Sequence, residues 1–344
     1  RMTAGALEVR GTGLVSGVGL SAPAACAAMR VKVTNPTPTR FVEPGRAWMK
    51  ACQVPLSTPL QGIYKLAKMG AMAAEECLAG VPRADWSRIP LLLCVAEPSR
   101  PGRLHDLDAV LPHELSQELG TTLAPGSAVI ARGRVSVAVA LDHAARLVHA
   151  KGLPQVLIVA TDSLLCAATL SAHHQASRLR HAGNSNGFMA GEAAGALLVG
   201  APQSACHAQC VGIGFGIEQA HIDSELPLRA DGLRKAISQA LDPAGVTIEQ
   251  CPIRLSDLSG EHYYFKEAAL AVARLQRRAG SEDADLWHPA ECTGECGAAA
   301  GAVLISVAAM AFQKGYMPGL HALAHMSNDD GARAAVLLRS PRGR

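Results

Sequence analysis

Three stretches of this chain are apolar at every step rather than at alternate ones: Ile89 to Val95, Gln155 to Ala160 and Gly195 to Val199, the second from Val156 onward. A strand with one face in water alternates apolar and polar residues, whereas a strand without alternation needs cover on both faces. Helical spacing supplies that cover. Ser136 to Ala150 carries Val137, Leu141, Ala144 and Val148 on one face, and Leu66 to Ala79 is likewise amphipathic. Strands and helices alternating in this way restrict the chain to an α/β architecture with helices on both faces of its sheets. Aromatic residues are only 3% of the chain, so these layers must close through Ala, Gly, Val and Leu.

The same reading extends along the chain. Val9 to Leu20 is a strand running into a glycine-rich turn. Ser21-Ala22-Pro23 is a helix start with Ser21 as its cap, and Asn35 to Arg46, with three prolines, is a loop. Val211 to Ile217 and Ile253 to Leu258 read as strands, and Asp231 to Leu241 and Tyr264 to Arg274 as helices. Ala298 to Phe312 reads as a buried helix and Ala332 to Leu338 as a closing strand. Gly191 to Val199 and Asp330 to Leu338 rhyme, each a turn feeding a small-residue strand, which is a faint internal repeat. On that basis the chain divides into an N-terminal half, 1–205, and a C-terminal half, 206–344.

A chain of 344 residues is long enough for two domains, and its formal net charge of +3 is too small to argue for nucleic acid. No basic run is interleaved with aromatics. Ten cysteines are scattered, several in apolar context such as Leu93-Cys94-Val95 and Leu165-Cys166-Ala167. They read as buried thiols of a reducing compartment rather than a disulfide framework. The start Arg1-Met-Thr-Ala-Gly-Ala-Leu-Glu-Val lacks the apolar core of a signal peptide. The longest apolar run, Ala298 to Phe312, is short for a bilayer span. The expected location is the cytoplasm, with no membrane partner. Cys206-His207 with Cys210, and Cys292 with Cys296, are spaced more widely than most zinc pairs, so neither metal nor cofactor is expected.

Four blocks then carry a family resemblance. The first is Gly13-Leu-Val-Ser-Gly-Val-Gly-Leu20. The second is Val156-Leu-Ile-Val-Ala-Thr-Asp-Ser-Leu-Leu165 followed by Asn184 to Leu198, with Gly187-Phe-Met-Ala-Gly-Glu192 inside it. The third is Thr293-Gly-Glu-Cys-Gly-Ala-Ala-Ala-Gly-Ala-Val303, and the fourth runs from Asp330 to Leu338. In this order they resemble the β-ketoacyl-(acyl carrier protein) synthases of the thiolase superfamily, across nearly the whole chain. The resemblance implies a thiolase-like layered αβαβα fold of two similar halves with mixed sheets, and a dimer whose central sheets pair. It also implies a site of one cysteine and two histidines. Here the cysteine position, at the head of the helix that starts near Ser136, reads Arg134, and the second histidine position reads Glu295. The first histidine position falls at Leu258 or Ser259, with His262 nearby but out of register. The lysine expected before the second histidine reads Ala290. The gating segment reads Ser327-Asn-Asp-Asp-Gly331, acidic where the family is apolar.

An arginine is permanently charged and cannot attack a thioester. Losing a nucleophile and its stabilising partners costs a condensation orders of magnitude. Arg134, Ser259 and Glu295 thus read as a vestigial pocket, with His262, Cys296 and Asp329 as binding candidates. If Arg134 and Glu295 meet, we expect a buried ion pair plugging the old site; the competing reading is a rebuilt polar site in which Arg134 binds a carboxylate or phosphate and Glu295 is a base. Cys292 and Cys296 flank Glu295, whose charge disfavours thiolate. Asp162 and Glu192 read as structural acids. Asp257 to Glu267 is a polar-aromatic loop with Ser259 as a helix cap. Arg132, Arg146, Arg178 and Arg180 read as solvated surface that faintly suggests a carrier-protein face.

The expected function is a catalytically degenerate synthase-like protein acting as a non-catalytic partner subunit or adaptor. Degenerate chains of this kind pair with active synthases, and others resemble the synthase-like proteins beside bacterial type VI secretion effectors. The expected partners are a second copy or a synthase-like subunit, with an acyl carrier protein or a secreted effector as further candidates. The alternatives are a related acyltransferase with altered chemistry and a binder of acyl or pantetheine groups.

Overall fold

The computed structural model describes residues 5–43, 47–203, 206–276 and 284–341. In chain order the strands are β1 (Leu7–Ser16), β2 (Thr37–Val42), β3 (Trp48–Ala51), β4 (Leu91–Val95), β5 (Ala128–Ala131), β6 (Gln155–Ser163), β7 (Glu192–Gly200), β8 (Ala208–Ile217), β9 (Ile253–Ser256), β10 (Asp285–Trp287), β11 (His321–Ser327) and β12 (Ala332–Arg339). The helices are α1 (Ala22–Arg30), α2 (Gly62–Cys77), α3 (Leu107–Leu119), α4 (Ser136–His149), α5 (Ala167–Gln175), α6 (Asp231–Leu241), α7 (His262–Ala273), α8 (Ala290–Thr293) and α9 (Ala300–Lys314).

Ten strands form one mixed sheet in the order β10-β9-β11-β12-β8-β1-β7-β6-β4-β5, and β2 and β3 form a separate hairpin. From the centre outward, each half places its strands in the same order: first, fifth, fourth, second, third. In each half the two inner pairings are antiparallel and the two outer ones parallel. The half-sheets touch only where Leu7, Glu8 and Val9 pair with Cys210, Gln209 and Ala208. The sequence implied two paired sheets; the structure joins them along this short seam.

Three clusters of buried side chains separate five layers. Leu66, Met69, Leu111 and Leu115 of α2 and α3 cover the outer face of the first half-sheet. Leu233 and Ile237 of α6, with Tyr264 of α7, cover that of the second. Between the half-sheets, Val137 and Leu141 of α4 meet Val303 and Ile305 of α9. The α9 segment Gly297–Lys314 is apolar and long enough to cross a membrane, but 89% of it is buried inside the protein. It is the central core helix.

The two central helices begin alike. Each follows a tight turn, Gly133–Val135 before α4 and Gly297–Ala299 before α9, opened by a glycine with φ of +55° and +54° respectively. Each turn is also capped from the other half. The Arg134 N–H donates to Asn328 Oδ1 beyond β11 at 3.1 Å, and the Ala298 N–H donates to Asp162 Oδ2 on β6 at 2.8 Å.

Several expectations need correction. Asn35 to Arg46 is not all loop: Thr37–Val42 is strand β2, its Pro38 tolerated because the hairpin is only two strands wide; residues 44–46 lie outside the described residues. Ser21 occupies the cap position of α1 without capping it. The Ala22 N–H donates instead to the Glu76 carboxylate of α2, at 2.8 Å. Helix α7 starts at His262 with Glu261 at its cap position, so Ser259 is not a cap. The half boundary after residue 205 and the start at Arg1 to Ala4 fall on or beside residues outside those described.

Candidate functional site

Strand β5 ends at Ala131, and the chain must turn into α4 within a few residues. Ser136 Oγ closes the turn by accepting the Arg132 N–H at 2.9 Å. This aims the Arg134 side chain into the protein, where it is buried. Its guanidinium donates to Asp329 and lies 3.7 Å from Glu295 Oε2 and 4.0 Å from Asp257 Oδ2. It also stacks over the Tyr264 ring at 4.8 Å from the centroid.

Asp329 is shared. Arg178 donates to it through Nη1 at 2.6 Å and Nη2 at 3.1 Å, and the Tyr264 hydroxyl donates at 2.5 Å. Arg178 also grips Glu261 in a fork of 2.7 and 2.9 Å. The remaining acids have backbone donors. Glu295 accepts the Gly297 N–H at 2.9 Å, and Asp257 accepts the Ser327 N–H at 2.9 Å. Behind the cluster, Arg333 and Glu267 form a fully buried pair at 2.7 Å.

Charge regulation follows this crowding. Burial would favour a neutral Asp329, but Arg134 and Arg178 hold its carboxyl well below the usual carboxylate range. Asp257 has no such close cation. Burial lifts it to about 7 against the pull of Arg134, and Glu295 adds to the rise. Burial raises Glu295 as well, opposed by Arg134. Burial drives the Cys296 thiol well above its ordinary value, and Glu295 pushes it further, which disfavours the thiolate. His325, bonded to Ser256 Oγ at 3.2 Å, is pushed down to about 3 by burial and Arg254.

Little space remains. The gap among Glu97, Arg100, Arg134, Arg178 and Asp329 holds about 10 Å³, and a second gap beside Asp257, Glu295 and Cys296 holds about 10 Å³. Each is roughly the room of one water. Arg100, paired with Glu97 and Asp162 at 2.9 Å each, walls this cluster off from a much larger cavity. That cavity has a volume of about 750 Å³ and is lined by Ile63, Leu66, Leu104 and Leu165 with Lys65 and Arg100. Among the described residues, no group of three or more His, Cys, Asp or Glu side chains is placed to hold a metal ion.

No protein-family model matches this chain, and no curated protein matches it in sequence. Solved structures do. A chain of the acyl carrier protein–ketosynthase complex AntDE:AntF superposes with a TM-score of 0.82 at 15% identity, covering 98% of this chain and 100% of that one. The ishigamide ketosynthase/chain length factor gives 0.79 at 18% identity, covering 98% and 100%. The ketosynthase ApeO with its chain length factor ApeC, from Xenorhabdus doucetiae, gives 0.78 at 12% identity, covering 98% of both. This chain has the thiolase-like ketosynthase fold.

Within that fold, three of the six candidate residues converge: Arg134, Glu295 and Asp329. Cys296 lines the small gap beside Glu295. Ser259 is half-buried, its hydroxyl enclosed without a hydrogen-bond partner. His262 is exposed at the start of α7, where its backbone N–H donates to Asn186 Oδ1 at 2.7 Å, so it does not join the site. The expected buried Arg134–Glu295 pair is present at 3.7 Å, and Asp329, which was not expected in it, is the nearer partner of Arg134. Arg178, read as surface, is buried in the cluster, while Arg132, Arg146 and Arg180 are exposed. Asp257 and Tyr264 belong to the site and were visible only as members of a polar-aromatic loop. Asp162 and Glu192 are structural: Asp162 caps the turn before α9, and Glu192 accepts the Val54 N–H at 2.8 Å and pairs with Lys65.

Proposed function

We propose that this chain is a catalytically silent member of the ketosynthase family and serves as the partner subunit of an active ketosynthase, as a chain length factor does. One observation carries the reading. Where the resemblance puts a nucleophilic cysteine, Arg134 is buried, ion-paired and left with space for about one water, about 10 Å³. Two of the superposed structures are ketosynthases with their chain length factors. The β5 edge supports pairing too: it has β4 on one side and no strand on the other among the described residues. Eight buried thiols, Cys26, Cys52, Cys77, Cys94, Cys210, Cys251, Cys292 and Cys296, fit a reducing location, and we place the protein in the cytoplasm.

The deciding experiment is intact-protein mass after incubation with acyl-CoA and acyl-carrier thioesters, alone and co-purified with a ketosynthase of the same organism. We expect the synthase to be acylated, this chain to stay unmodified, and the two to elute as one complex. A stoichiometric adduct mapped to one residue of this chain overturns the reading. The cavity of about 750 Å³ favours one secondary reading. Its apolar wall, with the ion-paired Lys65 and Arg100 at its polar end, suits non-covalent binding of an acyl or pantetheine group.

A further inference from the structure

We propose that Arg134, Arg178 and Tyr264 form a carboxylate-binding site that the chain's own Asp329 occupies in cis, and that a small organic carboxylate takes when the Asp329 side chain turns out of it. The proposal deepens the silent-partner reading, on which it rests in placing an arginine where a nucleophile would stand.

The geometry is that of a bound ligand. Both oxygens of Asp329 are engaged, Oδ2 by Arg178 at 2.6 Å and Oδ1 by Arg134, by Arg178 at 3.1 Å and by Tyr264 at 2.5 Å. A planar, two-oxygen acceptor is what the Arg178 fork selects, with Arg134 and Tyr264 adding single donors to one of its oxygens. A phosphate dianion would bring extra negative charge toward Glu261 and Glu295. Asp329 is also the most open member of the cluster, with its side chain 24% exposed against 7% for Arg134 and 10% for Arg178. It rides on a short turn whose base is anchored separately: Ser327 N–H donates to Asp257 at 2.9 Å and Asn328 N–H to the Ala332 carbonyl at 2.9 Å. Gly331 is held as well, its carbonyl accepting the Glu218 N–H at 2.8 Å, so the backbone of the turn stays in place while the Asp329 side chain turns out toward solvent.

The site also survives the departure of Asp329. Arg178 keeps its fork to Glu261, and Arg134 keeps Glu295 at 3.7 Å and Asp257 at 4.0 Å. Neither arginine is left as an unpaired buried charge, the situation that makes breaking such pairs costly. Tyr264 stays stacked under Arg134 and holds its guanidinium plane.

Removing the internal ligand tests this directly. Asp329→Ala protein is titrated with acetate by calorimetry and by thermal unfolding, with chloride at equal ionic strength as control. We expect saturable acetate binding at least ten-fold tighter than in the unaltered protein, where Asp329 competes. A melting temperature that rises with acetate and not with chloride is expected alongside. The double variant Asp329→Ala/Arg178→Gln is expected to lose both responses. Acetate uptake no better than in the unaltered protein, or undiminished in the double variant, overturns the proposal. Should Asp329→Ala fail to fold, Asp329→Ser, whose side chain is too short to fill the site, undergoes the same comparison. No thioester is used, so an acyl adduct in the mass experiment would remove the silent-partner reading without imitating either outcome here.

Discussion

Arg134 concentrates the chemistry of the site, and its removal has a definite cost. In Arg134→Ala, Asp257 and Glu295 lose the nearest cation that opposes their burial, and Asp329 keeps Arg178 and the Tyr264 hydroxyl. Breaking a buried pair from one side costs about 3–5 kcal/mol, so chemical denaturation at pH 7.5 is expected to show a loss of that order. An unchanged midpoint would remove Arg134 as a structural plug. The pH response belongs to Asp257, whose folded value of about 7 lies above its ordinary 3.8. The folded state therefore binds more protons than the unfolded between those values. This contribution to stability is full below about 3.8 and is lost as pH rises through about 7. His325 opposes it, because its folded value of about 3 costs stability as pH falls below 6.5. The Asp257 contribution is read as a difference: Asp257→Asn is expected to gain stability relative to the unaltered protein as pH is raised from about 4 to about 8, by urea midpoints. At this scale the sequence was legible where motifs fix position. Glu295 stands inside a matched block, Arg134 stands at the head of a helix that apolar spacing reveals, and Asp329 lies just before another block. Arg178 was not legible, because nothing local distinguishes it from Arg180. One is buried and the other exposed, a difference made by Glu261 and Asp329, which are distant in sequence.

Among the elements, the turn before α4 is the most constrained. Gly133 has φ +55°, and a Cβ there would overlap the side chains of Glu97 and Asn328. Gly133→Ala is expected to cost about 1–3 kcal/mol in thermal or chemical unfolding, combining left-handed strain with displacement of the Asn328 cap. A loss below about half a kilocalorie would mean the turn relaxes freely. Long periodic elements were readable from the sequence, and α2, α4, α6, α7 and α9 all lie where apolar spacing places them. Helix α3 escaped despite Leu107, Leu111, Leu115 and Leu119 at four-residue intervals, because Pro112 interrupts the pattern that those leucines make. Strand β11 escaped because His325 stands within it, a buried polar residue bonded through Nδ1 to Ser256 on the neighbouring strand β9. Strands β5 and β10, of four and three residues, are too short to show a period.

Across the whole molecule, the repeated strand order was visible in the sequence only as two rhyming strands, because duplication is kept in topology long after side chains diverge. The seam of three residue pairs between the half-sheets is slight. Far more is shared through the central layer, where α4 and α9 pack together and each turn is capped by the opposite half. That exchange of caps has a consequence for how the protein is made. The ribosome emits Arg134 a full 194 residues before Asn328, which at ~5–20 residues per second is roughly 10–40 s of synthesis. Throughout that interval the first half carries an arginine that its finished form must bury, with Asn328 and Asp329 not yet in existence. The N-terminal half thus cannot cap its central turn or pair its buried arginine in the finished way until Asn328 and Asp329 have been made.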